Sequence, residues 1–555
     1  MRGLMMDRPL LIQSLIRYAA RYHADNEIVS RTLEGPLHRY TYADAEPRTK
    51  QLAKALMRLG VGLGDRVATI AWNTHRHFEA YYAISGIGAV CHTINQRLFT
   101  DQLAYLVNHA RDKVLLLDLT FVPLAEKMAA SWPGVGHYVV MTGRAQMPAT
   151  SLPNVLCYED IVAAETPELE WPEFDENTAA ALCYTSGTTG NPKGALYTHR
   201  STLLHAFALC ASNNVGLAMH DVVCPIVPMF HVNAWGVPYA AAMAGAKLVF
   251  PGSRLDAASL QELFDVEGVT CALGVPTVWL GLLQHLEATG KRIDSVKRIT
   301  CGGAAVPISM IRTFAERHGV TLIHGWGMTE MSPVGSLSIP KPRQLAEGPE
   351  AEYAIRARQG RPLYGIEFKI VDPDGKRLPE DGVASGELLV RGPWVIGAYY
   401  EDEAASLAAL DAEGWFRTGD VATIDTEGCM QIVDRSKDVI KSGGEWISSI
   451  DLENAAMGHP DIAEAAVIAL PHPKWDERPL LVVVANPGSE LAPDAVIGFL
   501  EGKGREMANA GRHCLFAGDA ARRHRQGAED PAQGDVQGPP LADGVNAGSR
   551  VSTAG

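Results

Sequence analysis

Between about residues 40 and 330 the chain alternates short apolar runs with amphipathic helical patterns, and no other feature restricts its fold so strongly. "DRVATIAW" precedes "NTHRHFEAYYAISGIGAV", "KVLLLDL" precedes "PLAEKMAASW", "AKLVF" precedes "DAASLQELFDVEG", and "VKRITCGG" precedes "PISMIRTFAERHG". A strand followed by a helix, repeated, calls for mostly parallel sheets with helices on both faces. Residues 360–434 change rhythm: "EFKIVDPDGKRLPEDG", "SGELLVRGP" and "GCMQIVDRSKDVI" are short strands with Asp-Gly turns, the pattern of a small β-rich subdomain. After Asp434 comes a smaller α/β unit with one helix in "SSIDLENAAMGH" and strands in "IAEAAVIAL" and "RPLLVVVA". The expected class is α/β: a large N-terminal domain, residues 1–434, of two α/β layered subdomains plus the β-rich one, then a small mobile C-terminal α/β domain, residues 435–503.

The 555 residues suffice for roughly three or four domain-sized units. A net charge of −15 argues against broad binding to nucleic acid or anionic membranes, but leaves room for a local basic site and an anionic substrate. Nine cysteines lie scattered without a CxxC pair, which reads as buried thiols in a reducing compartment. At the N-terminus Asp7 and Arg8 interrupt the apolar stretch, so no signal peptide is expected. Leu11, Leu15, Ala19 and Tyr22 there form one face of an amphipathic helix. "VPYAAAMAGAKLVF" is broken by Gly245 and Lys247, and no run is long enough for a transmembrane segment. The expected location is cytoplasmic.

"YTSGTTGNPKG", residues 184–194, follows the buried-strand pattern "AALCY" and carries three glycines, four Ser/Thr hydroxyls and one lysine. Glycines let the backbone fold back so that several N–H groups converge on an anion. Thr185, Ser186, Thr188 and Thr189 add donors around Gly187 and Gly190, and Lys193 adds positive charge. A Walker A loop needs Gly directly before Lys and Ser/Thr directly after it; here Asn191-Pro192 intervene and Gly194 follows. This is a phosphate loop of another type.

The loop resembles the signature of the adenylate-forming enzymes, and further segments match in order: "PMFHVNAWG", "CGGAAVP", "HGWGMTE", "GWFRTGD" and "DRSKDVIKSGGEWIS". The resemblance covers roughly residues 10–503 and is strongest to fatty-acyl-CoA synthetases of medium and long chain, with 3-methylmercaptopropionyl-CoA ligases nearly as similar. It implies ATP, Mg²⁺ and CoA, a small carboxylic acid as substrate, and a homodimer. By the same resemblance, residues 185–193 hold the β- and γ-phosphates, and Thr185 and Glu330 hold Mg²⁺. Gly302, Gly303 and Ala304 line the adenine and acyl pocket; His324, Gly325, Trp326 and Thr329 complete the adenylate site. Asp420 accepts from the ribose hydroxyls. His231, Val232 and Trp235 belong to the acyl tunnel, with Gly303 beside it. Asp434 is the hinge, Arg435, Lys437 and Lys441 approach the nucleotide, and Gly443, Gly444 and Trp446 form the CoA tunnel. The residues expected to act in catalysis are Lys193, His231, Thr329, Glu330 and Lys441.

One family motif is missing. The family's small domain closes on a Pro-x-Thr-x-x-Gly-Lys pattern whose lysine bridges the substrate carboxylate and the α-phosphate. Residues 504–555 contain no lysine, one aromatic residue (Phe516) and nine glycines. Such a segment buries little apolar surface and is expected to be disordered; it reads like translation in a shifted frame. Two readings follow: an acyl-CoA synthetase, or an impaired homologue that binds nucleotide and acyl group without efficient adenylation. A module that loads a carrier protein ranks below both, because no carrier-like segment follows the small domain.

Overall fold

The computed structural model describes all residues except 2, 186–190, 436–439, 443–444, 473–475, 486–488, 490 and 502–555. The chain divides into two compact units, one ending at Val439 and the other beginning at Ile440.

In the first unit, Asp112–Leu117, Arg66–Ile70 and Val90–Thr93 lie at the centre of a seven-stranded sheet. Its strands run parallel except the last, Gly194–Thr198, which returns antiparallel beside Ala179–Tyr184. A nine-stranded sheet has Cys271–Gly274, Arg298–Cys301 and Thr321–Gly327 as parallel neighbours and antiparallel strands at both edges. Parallel strands covered on both faces must be apolar throughout, which is why "KVLLL" is nearly continuous. Helix starts follow side-chain chemistry. Thr41 and Asp44 form a reciprocal cap at the head of Tyr42–Arg58, and Asp256 accepts from the Ser259 N–H at 2.9 Å ahead of Ala257–Glu267. The β-rich segment is a four-stranded antiparallel sheet, Glu367–Val371, Ser385–Arg391, Phe416–Ile424 and Met430–Arg435 in that order.

The second unit is a four-stranded antiparallel sheet with helices Ser449–Met457 and Pro493–Glu501. Ile440, Leu452, Val467, Leu481, Val496 and Leu500 form its core.

The N-terminal helix spans Gln13–Tyr22 and corrects one expectation. Leu11, Leu15 and Ala19 are buried as expected, together with Ile12 and Ile16, but Tyr22 is 61% exposed. The apolar face turns through Ile12 and Ile16, and the ring of Tyr22 lies instead beside Tyr18, ring centres 5.1 Å apart. All eight described cysteines are free thiols, seven of them buried. Among the described residues no helix is long and apolar enough to cross a membrane.

Burial keeps several histidines neutral. His77 and His324 are pulled from 6.5 to about 4, and His199 and His205 to about 3. His199 Nδ1 accepts from the Ile12 N–H at 3.0 Å, and His205 Nε2 accepts from the Val334 N–H at 3.1 Å. Protonation would destroy both bonds. The unfolded chain takes up these protons near pH 6.5 and the folded chain near pH 3–4, so stability is complete above 6.5 and falls on acidification. The expected loss by pH 4 is on the order of several kcal/mol in total. Denaturant midpoints measured at stepwise lower pH check this; a midpoint that stays flat from pH 7 to 4 contradicts it.

Candidate active site

The hairpin Ala179–Tyr184/Gly194–Thr198 closes the phosphate loop at its neck. Thr185 N–H donates to the Lys193 carbonyl at 2.9 Å, and the Lys193 N–H donates to Thr185 Oγ1 at 3.1 Å. The lysine side chain is exposed, with Nζ 5.1 Å from the ring centre of Tyr399. The Tyr399 hydroxyl in turn donates to Glu330 Oε1 at 2.7 Å. Glu330 is only 7% exposed, and its carbonyl accepts from the Ile396 N–H at 2.8 Å. Thr329 is tied to the same hairpin, because the Tyr197 hydroxyl donates to its carbonyl. The loop tip, Ser186, Gly187, Thr188, Thr189 and Gly190, lies outside the described residues.

A second group sits at the carboxyl ends of strands in the nine-stranded sheet, where open α/β sheets place their ligands. Cys301 and His324 are register partners; the chain leaves the sheet after Cys301, so residues 302–304 lie beside residues 325–326, which continue the neighbouring strand. A Cβ on Gly302 would stand 2.8 Å from the Gly325 carbonyl oxygen and 3.3 Å from the Trp235 ring, so no side chain fits there. Gly303, at φ 86°, and Ala304 are exposed at the surface of this cleft. His324 Nδ1 donates to the Ala357 carbonyl at 2.9 Å, which fixes its tautomer; burial keeps it neutral.

Trp235 arrives on an unusual backbone. Val232, Asn233, Ala234 and Trp235 have φ values of 44°, 54°, 50° and 56°, a left-handed run that ends at Gly236. Each such residue costs about 1–2 kcal/mol, so its surroundings must hold it. They do so from the first sheet and the loop after its strand Arg66–Ile70: Asn73 Oδ1 accepts from the Met229 N–H at 2.7 Å, Thr93 donates to the Phe230 carbonyl at 3.1 Å, and Cys183 donates to Asn233 at 3.4 Å. Val232 and Trp235 are buried. His231 keeps exposed surface, while the protein crowding around it draws its pKa below the ordinary value, as befits a ring in a recess.

Asp420 joins the nine-stranded sheet to the antiparallel one. It is 3% exposed; Oδ2 accepts from the Trp326 indole N–H at 2.8 Å, and Oδ1 pairs with Arg435 Nε at 2.9 Å. Burial raises its pKa, and Arg435 and Trp326 oppose that rise. Asp434, in the neighbouring strand Met430–Arg435, is buried and accepts from the Arg435 N–H at 2.7 Å. Lys437, Gly443 and Gly444 lie outside the described residues. Lys441 and Trp446 are described by backbone alone, as register partners across a hairpin of the second unit.

The structure thus brings Lys193 and Glu330 together at Tyr399, ties Thr185 to Lys193 and Thr329 to Tyr197, and joins Trp326 with Asp420 and Arg435. Gly302 and Gly325 meet against Trp235. Tyr399 and Tyr197 were not among the residues picked from the sequence. "IGAYYE" holds no glycine cradle or charge cluster to mark its first tyrosine. For a divalent cation the donors fit Mg²⁺: one buried carboxylate and a threonine hydroxyl are hard oxygen ligands, and Mg²⁺ commonly takes few protein ligands with substrate phosphates completing the set.

Comparison with known proteins agrees with this geometry. The AMP-binding enzyme family model matches residues 16–400, and that of the AMP-binding enzyme C-terminal domain matches residues 451–527. The chain belongs to the AMP-binding enzyme family. It is 50% identical to a 3-methylmercaptopropionyl-CoA ligase of Ruegeria lacuscaerulensis, over 91% of this chain and 93% of that protein. It is also 50% identical to a medium-chain-fatty-acid–CoA ligase of Ectopseudomonas oleovorans (91% and 92%), and 48% identical to a long-chain-fatty-acid–CoA ligase of Thermus thermophilus (88% and 88%). An anthranilate CoA ligase solved with anthranoyl-AMP shares the fold at TM-score 0.82, 24% identity, and coverage of 92% of this chain and 94% of that one. The particular enzyme class is that of AMP-forming acid–CoA ligases, which use ATP, Mg²⁺ and CoA. The C-terminal match runs to residue 527, so the change of composition at Gly504 falls inside it.

The contact at Gly302 supplies a test of the cleft. Gly302→Ala must displace either the Gly325 carbonyl or Trp235, at an expected cost of about 1–3 kcal/mol. Denaturant unfolding followed by tryptophan fluorescence measures it; wild-type stability in the variant contradicts the close approach.

Proposed function

We propose that this chain joins a medium- or long-chain fatty acid to CoA through an acyl-adenylate. The observation that carries the reading is the convergence of Lys193, at the neck of the phosphate hairpin, and a buried carboxylate at Glu330 on one tyrosine. A carboxylate attacking the α-phosphate of ATP brings two anions together, so fixed positive charge and oriented donors are what the step requires. Lys193 and the 185–190 loop bind the β- and γ-phosphates and draw off charge as pyrophosphate leaves. Thr185 and Glu330 would hold Mg²⁺, which when bound would supply charge neutralisation at those phosphates. Asp420 keeps lone pairs beyond those used by Trp326 and Arg435, and these accept from the ribose hydroxyls. Residues 302–304 and 324–326 flank the base. His231, Val232 and Trp235 receive the acyl chain, and the left-handed run fixes the angle at which Trp235 meets Gly302. The thiol of CoA then displaces AMP. In that step Asp434 serves as hinge, Lys437 and Lys441 approach the nucleotide, and Gly443, Gly444 and Trp446 line the pantetheine path. The domain limits 1–434, 435–503 and 504–555, a cytoplasmic location supported by the free thiols, and a homodimer belong to the same proposal.

A second reading concerns rate. Residues 504–555 carry no lysine, so none there can take the bridging role between carboxylate and α-phosphate. The chain then binds ATP and acid but adenylates slowly.

Pyrophosphate release with ATP, Mg²⁺ and octanoate separates the two readings; release no faster than the acid-free control sinks the first for this chain. Restoring a Pro-x-Thr-x-x-Gly-Lys terminus is expected to raise release by two or more orders of magnitude, within the range for a positioned transition-state charge. In that restored background, Lys193→Ala should lower kcat/KM for ATP by about 10²-fold. A panel of propionate, 3-methylmercaptopropionate, octanoate and palmitate then fixes the acid. Octanoate is the expected preference, a maximum at 3-methylmercaptopropionate favours the short thioether acid, and a preference for amino acids overturns the assignment.

A further inference from the structure

Tyr399 occupies a place that the roles above leave unexplained. Its segment is a crossbar between the two halves of the phosphate site. At one end the Ile396 N–H donates to the Glu330 carbonyl at 2.8 Å, and at the other the Tyr400 N–H donates to the Gly194 carbonyl at 2.8 Å. Between them the Tyr399 N–H bonds Ser406 Oγ at 2.9 Å, and its ring packs edge-on against Phe416, ring centres 6.1 Å apart. The ring is thus held from three sides. Its hydroxyl reaches Glu330 Oε1 at 2.7 Å, and the ring lies 5.1 Å from Lys193 Nζ.

Two physical consequences follow. A carboxylate 7% exposed needs a donor, and a phenol O–H on one oxygen fixes the carboxylate and leaves Oε2 for a cation. A lysine resting against an aromatic ring is held by the ring's quadrupole at its edge of the site instead of ranging through water.

We propose that Tyr399 is a positioning residue that sets the Glu330 carboxylate for the metal through its hydroxyl and Lys193 for the phosphates through its ring. This inference rests on the assignment of Glu330 to the metal and Lys193 to the phosphates.

The two contacts separate by substitution. Tyr399→Phe keeps the ring and removes the hydroxyl; Tyr399→Leu removes both. Calorimetric titration of the full chain with ATP, at graded MgCl₂ and again in EDTA, reads both effects without turnover. Tyr399→Phe should raise the Mg²⁺ concentration for half-maximal tightening of ATP by about tenfold, with ATP affinity in EDTA unchanged. Tyr399→Leu should show the same Mg²⁺ shift and weaken ATP in EDTA about two- to fivefold as well. Glu330→Gln is the control for the underlying assignment. If it leaves the Mg²⁺ dependence of ATP binding at the wild-type value, the metal assignment falls, and this inference with it. If Glu330→Gln shifts that dependence and Tyr399→Phe does not, the inference alone falls. A lower thermal midpoint in Tyr399→Phe at unchanged Mg²⁺ dependence marks a structural role only and likewise overturns it.

Discussion

A carboxylate withdrawn from water must be given donors, and this constraint organises the large unit. Asp420 and Glu330 are both nearly inaccessible, and neither finds its donors in its own strand or turn. Asp420 takes them from an indole in the nine-stranded sheet and a guanidinium in the neighbouring strand. Glu330 takes its donor from a tyrosine beyond the second strand of the antiparallel sheet. The Trp326–Asp420 bond ties the nine-stranded sheet to the antiparallel one, the Tyr399–Glu330 bond ties the segment after Ser385–Arg391 to the turn after Thr321–Gly327, and each carboxylate keeps lone pairs beyond those used. On the proposed assignment, the same pairs that stabilise the junction would also pre-arrange acceptors for a sugar hydroxyl and a cation. The strained Val232–Trp235 turn obeys the same economy: its cost is offset by bonds from Asn73, just past a strand of the seven-stranded sheet, and from Thr93 and Cys183 within that sheet, and the tryptophan it presents closes on Gly302.

Charge explains how an acidic chain can handle anions. The surface excess is negative, −15 over the whole sequence, yet the groups gathered at the cleft include Lys193 and Arg435 beside backbone donors. Locally fixed charge in a partly dehydrated site outweighs a diffuse, screened surface potential.

Much of this was legible in the sequence because it rests on local rules. Apolar runs such as "KVLLLDL" and "AKLVF" became parallel strands because only continuous apolarity suits a strand covered on both faces. "YTSGTTGNPKG" carried its own signal in glycines, hydroxyls and a lysine, and its neck is closed by Thr185 and Lys193. Other features depend on tertiary contact and leave no local trace. Nothing in "IGAYYE" says that Tyr399 meets Glu330, 69 residues away. The left-handed run through "VNAW" contradicts the preferences of its own residues and is legible only once its clamps are known. Tyr22 departs from the face that the local pattern suggests because Ile12 and Ile16 turn the buried stripe away from it.

The most direct test is a crystal structure of the chain with Mg²⁺ and a non-hydrolysable ATP analogue. The account places the ribose hydroxyls on Asp420, the base between residues 302–304 and 324–326, and the β- and γ-phosphates at Lys193 with the metal on Glu330. Nucleotide density elsewhere, or a ribose that leaves the Asp420 carboxylate uncontacted, would contradict it.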